Sequence, residues 1–113
     1  MADNPLTEVQ LGDAVAVFIL GAEDDADTVE DVDVEVTLSD GSRWVATLLT
    51  LDEIRRLMER WKTTGERLDG SYFQCADLVV VERGGIEAAT DLLRRLVDTG
   101  EIRNVFIRVD IEE

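Results

Sequence analysis

The chain of 113 residues contains no histidine. That absence removes the usual general base near neutral pH, the commonest metal ligand, and every Ser-His or Cys-His nucleophile pair. A single cysteine, Cys75, excludes an internal disulfide and any multi-cysteine zinc site. Long apolar runs are missing too. The longest, Ala14 to Leu20, has seven residues, against the roughly 20 that a membrane helix needs. The first ten residues, MADNPLTEVQ, hold two acids and no Lys or Arg, so the basic start of a signal peptide is lacking. These absences lead us to expect a cytoplasmic, non-enzymatic protein with no cofactor, no catalytic residue, no metal and no membrane partner.

Positive charge is scarce in one part of the chain. Residues 1–42 carry twelve acids and no base, whereas residues 43–113 carry fourteen acids against eleven bases. The net charge of −15 therefore belongs mostly to the first third. Such a surface repels nucleic acid and anionic membrane and favours a basic partner or cations. The plainer alternative is that acidity serves solubility or follows genome composition, since ten of the eleven bases are Arg.

The length fits one domain, 1–113, with residues 1–12 expected as a flexible N-terminus. Ala14 to Leu20 (AVAVFIL) reads as a strand buried on both faces, because no polar residue interrupts it. Gly21 to Val29 reads as an acidic, solvated loop. Asp31 to Leu38 alternates strictly: Val32, Val34, Val36 and Leu38 share one face, and Asp31, Asp33 and Glu35 share the other.

The strand Arg43 to Thr50 follows a Ser39-Asp40-Gly41 turn. A two-residue loop would set Glu35 opposite Ala46 and place Trp44 on the acidic face. A three-residue loop with Gly41 left-handed pairs Val36 with Trp44, Val34 with Ala46 and Val32 with Leu48. The second puts apolar against apolar and is the expected register.

Thr50-Leu51-Asp52-Glu53 reads as a capping box, and Ile54, Leu57, Met58 and Trp61 form an apolar helical stripe ended by Gly65. Tyr72 to Arg83 reads as a strand broken near Ala76-Asp77, or a short strand followed by a longer one. Ile86 to Val97 carries a second helical stripe, started after Gly84-Gly85 and ended at Gly100. Val105 to Ile111 alternates as a last strand. The expected fold is α+β: a two-layer sandwich in which two helices pack on one face of a mainly antiparallel sheet of about five strands. The other face is then open, at least in part, and carries Asp31, Asp33 and Glu35.

Other candidate sites are weaker. EF-hand spacing fails from Asp31, where positions 6 and 12 are Val36 and Ser42, and from Asp25, whose fifth position is Val29. A looser cation site at Asp24, Asp25 and Asp27 is conceivable. Cys75 has no cationic neighbour in sequence to activate it and reads as a buried, inert thiol. Asp77, set among apolar residues, is a better candidate for a perturbed carboxylate than the exposed acids, although an Asp at a strand break usually bonds nearby backbone. Trp44 and Trp61 fall on expected core faces.

The block Asp33 to Glu82, above all WVATLLTLDEIRRLMERWKTTGERLDGSYF, resembles a set of small uncharacterised bacterial proteins. The shared features are a hairpin, a TL-x-x-I-x-R-L-M helix, a TGE turn and a YF strand; the resemblance implies a fold without an established activity. In size, acidity and α/β make-up the chain is also similar to bacterial immunity proteins that neutralise nuclease toxins. We therefore expect Asp24, Asp25, Asp27, Asp31, Asp33 and Glu35 to engage a basic protein partner, with a toxin as one such partner. The alternative is a structural or regulatory subunit that self-associates, as a homodimer for example.

Overall fold

In the computed structural model, which describes residues 6–110, the valine alternation and the glycine turn fix the centre of the sheet. Strands β3 (Asp31–Thr37) and β4 (Arg43–Thr50) pair antiparallel with Val36 opposite Trp44, Val34 opposite Ala46 and Val32 opposite Leu48. This is the three-residue-loop register. Gly41 takes φ 87°, open to glycine at little cost, and the Asp40 carboxylate accepts from both the backbone N–H and the hydroxyl of Ser42. Those bonds hold Asp40 well below the usual carboxylate range, with Arg103 adding to the effect.

β2 (Ala14–Ile19) pairs with the free side of β3, and β1 (Leu6–Leu11) pairs with β2. The N-terminal stretch expected to be flexible is thus, over Leu6–Leu11, an edge strand in full register. It earns that place by alternation: Val9 and Leu11 point toward the core while Glu8 and Gln10 point away. Residues 1–5 of the expected arm lie outside the described residues.

β5 (Leu78–Val81) runs parallel to the end of β4, and β6 (Ile107–Arg108) runs antiparallel to its beginning. The sheet is therefore six-stranded and mainly antiparallel, in the order β1-β2-β3-β4-β5, with β6 in line with β5 on the same edge of β4. This shared edge explains why the expected final strand is short. β5 occupies Thr47 to Thr50, which leaves Trp44 and Val45 for β6. Val105 instead closes a short helix, α4 (Ile102–Val105).

The long strand expected from Tyr72 is also reduced. Phe73 stacks on Trp61 at 5.7 Å, covering α1 (Leu51–Thr64) rather than joining a ladder. A turn closed by the Leu78 N–H on the Cys75 carbonyl then delays the strand to Leu78.

The α+β fold buries one main core. Phe18, Val34, Val36, Ala46 and Leu48 of the sheet meet Ala89 and Leu93 of α3 (Ile86–Thr99), together with Ile102 of α4 and Phe106. α1 contributes no fully buried residue, and its apolar stripe is half covered. Both long helices end on a left-handed glycine, Gly65 and Gly100. Between α1 and β5 the short segment α2 (Glu66–Gly70) is a left-handed turn, with Arg67, Leu68 and Asp69 all at φ between 52° and 62°.

The expectation that Ala14–Leu20 is buried on both faces is corrected. Ala14, Ala16 and Phe18 are core residues, but Val15 and Val17 are half-buried and Ile19 is 48% exposed. An unbroken apolar run hides the period of two, so sequence alone could not tell which half faces outward.

Candidate partner-binding surface

The six acids expected to act together are arranged by two different elements. Asp31, Asp33 and Glu35 alternate with buried valines along β3 and so share its outward face. Alternate residues on a strand stand roughly 6.6 Å apart, and backbone pairing on both sides fixes the row.

Asp24, Asp25 and Asp27 lie on the loop before β3, where every residue from Gly21 to Thr28 is exposed. Its backbone is nonetheless anchored. The Asp24 carboxylate accepts from the Gly21 N–H at 2.7 Å, and the Asp25 carboxylate from the Asp27 N–H at 2.8 Å. The N–H groups of Gly85 and Ile86 donate to the carbonyls of Val29 and Ala26. Gly84 and Gly85 are needed for this contact: a β-carbon at Gly85 would stand 2.6 Å from the Asp27 carbonyl oxygen, at φ 96°. The glycine pair is therefore a backbone seat for the acidic loop as well as the start of α3. The loop expected to be merely solvated is held in place, and Val29 at its end is buried.

Within the row, Asp31 carries a shifted carboxyl. Crowding by neighbouring atoms raises its carboxyl above the ordinary value, and the charges of Glu53, Asp33 and Asp24 raise it further. Asp24 thus acts on the row from the loop, and Glu53 acts on it from the first turn of α1. Glu53 was legible only as half of a capping box. The structure makes the other half: the Glu53 N–H donates to the Thr50 hydroxyl oxygen at 3.1 Å. The reciprocal bond is pre-empted, because the Thr50 N–H donates to the Glu30 carbonyl in the strand ladder. The Glu53 carboxylate pairs with Arg56 instead. Glu30 takes the Thr50 hydroxyl and Arg56 at 2.6 Å each, which lowers its carboxyl from the ordinary value.

Asp33 accepts from the Thr47 hydroxyl at 2.8 Å. The same hydroxyl oxygen stands 2.9 Å from the Asp77 carboxylate, which also receives the Cys75 thiol at 3.2 Å. A hydroxyl has one proton, so assigning it to Asp33 and the thiol proton to Asp77 gives each carboxylate one donor. Cys75 is thereby half-buried against a carboxylate rather than sealed in the core. Glu35, farther along, meets Arg43 at 3.9 Å across the ladder, a loose surface pair.

The bases of α1 are largely spoken for. Arg55 pairs with Asp52, Arg56 with Glu30 and Glu53, and Lys62 with Glu59. Arg67 lies over the rings of Trp61 and Tyr72. Three of the four bases of α1 are thus paired within the chain, and Arg60 is exposed. Among the described residues, no group of three or more acidic, cysteine or histidine side chains could hold a metal ion, and no helix is long and apolar enough to cross a membrane. No family model, curated protein or solved structure matches the chain.

Proposed function

We propose that this is a non-enzymatic binding protein whose acidic surface captures a basic protein partner. The observation that carries the reading is the rigid β3 row, Asp31, Asp33 and Glu35, joined by Asp24 and answered, among the described residues, by one loose ion pair to Arg43. Neighbouring charges about 6.6 Å apart repel by roughly 0.6 kcal/mol in water. A cationic partner relieves that repulsion and associates faster for it. Asp25 and Asp27 extend the same field from the anchored loop. On α1, Arg55, Arg56 and Lys62 are already paired within the chain, which weakens their pull on a second copy's acids and supports a foreign partner.

An intracellular toxin of the nuclease type is the partner class this reading favours, since such proteins carry basic surfaces to bind nucleic acid. The protein then acts as its immunity factor by occupying that surface. Affinity capture from the native host at low and at high salt tests the reading. A basic protein retained at low salt and released at high salt is the expected result; retention of no basic protein would overturn it.

A further inference from the structure

The acid row has a neighbour that composition does not reveal. In the β2–β3 ladder Ile19 stands opposite Asp33 and Val17 opposite Glu35, while Val15 stands opposite Thr37. Paired residues in an antiparallel ladder point to the same face, so Val15, Val17 and Ile19 share the acid-bearing side. They form an apolar band one strand spacing, about 4.8 Å, from the carboxylates. Ile19 is 48% exposed, Val15 and Val17 are half-buried, and Glu8 on β1 faces Val17 from the outer side. This half of the sheet face is open, whereas its other end is closed: Leu49, opposite Asp31, is 2% exposed just before α1 begins.

Resting on the function proposed above, we propose that this open half of the sheet is a docking surface for an amphipathic helix of the basic partner. The helix seats an apolar stripe on Val15, Val17 and Ile19 and sets a flank of Arg or Lys along Asp33 and Glu35. A helix is about 10 Å across, which spans β2 and β3 together. Charge selects the occupant. Among the described residues, the acids the ladders place on this half are Glu8, Asp33 and Glu35, and Arg43 meets Glu35. A second copy laid face to face would set carboxylate against carboxylate, so self-association through this surface is disfavoured. An apolar band alone would admit any greasy partner; with acids on both sides it requires cations beside the apolar stripe.

The test uses two synthetic peptides and the full chain. One peptide is an 18-residue helix (about five turns) with Leu along one stripe and Arg beside it; the other is oligolysine of equal charge. Three proteins are titrated: the unaltered chain, the Val17→Thr/Ile19→Thr variant, and the Asp33→Asn/Glu35→Gln variant. Threonine keeps the β-branched shape that strands favour, and a thermal melt confirms the fold of each. The expected result is that the threonine variant binds the amphipathic peptide at least about tenfold more weakly while its oligolysine affinity is unchanged. The neutralised variant loses affinity for both. If the threonine variant binds both peptides as the unaltered chain does, the apolar half of the proposal is overturned and the acidic reading stands. If the unaltered chain binds neither peptide, both are overturned.

Discussion

At the scale of single residues, the acidic surface carries a built-in electrostatic cost centred on Asp31. Its folded-state carboxyl is raised, so the folded chain holds that proton more tightly than the unfolded chain does. Ionising Asp31 therefore opposes folding. The cost is absent below the unfolded carboxyl range, near about 3.9, and is fully present above the raised value. Asp31→Asn should melt higher than the unaltered chain at pH 7, and the two melts should converge near pH 3. Asp110 behaves oppositely. The Arg108 guanidinium and the Arg43 backbone N–H draw it down to about 2. Its contribution is present above the unfolded range and is lost as pH falls toward 2. Asp110→Asn should lower the melting temperature at pH 7, with the difference shrinking as the melts are repeated toward pH 2.

At the scale of elements, the left-handed turn α2 is the most strained piece of backbone. Three consecutive non-glycine residues occupy a region that costs roughly 1–2 kcal/mol each. Gly70 pins the turn, because a β-carbon there would collide with the Met58 carbonyl oxygen. Gly70→Ala should cost at least about 2 kcal/mol in urea denaturation. Leu68, 76% exposed at the tip, is a site where glycine should help. Leu68→Gly should be neutral or stabilising by up to about 1 kcal/mol, against the loss of about 1 kcal/mol expected in an ordinary helix.

This turn also marks where sequence reading stops. Nothing in Glu66-Arg67-Leu68-Asp69 advertises positive φ; the close packing of Gly70 imposes it. The β3–β4 register was legible, because apolar and acidic residues alternate and one slip would bury three carboxylates. The extents of β5 and β6 were not, since they depend on two strands competing for one edge of β4. The outward half of β2 was invisible for the opposite reason: all its side chains are apolar. Of the candidate site, the β3 row was legible; Val17 and Ile19 were hidden by the apolar run of β2, and the contribution of Glu53 by its place on α1, distant in sequence.

At the scale of the whole molecule, a net charge of −15 on 113 residues repels itself in the compact state. Added salt screens that repulsion. The melting temperature should rise between 10 mM and 500 mM sodium chloride (about 30 Å and 4 Å screening lengths), while affinity for a cationic partner falls over the same range. Opposite salt responses of stability and of binding are the signature expected of a surface whose charge serves capture. A surface that is acidic for solubility alone should show the first response without the second.

The most direct measurement is the affinity of the captured host partner for the unaltered chain and for the Asp31→Asn/Asp33→Asn/Glu35→Gln variant at low salt. The variant should fold with a melting temperature at or above that of the unaltered chain and bind at least about tenfold more weakly. Equal affinity of the two proteins, with both folded, would contradict the assignment of the β3 row as the partner-binding surface.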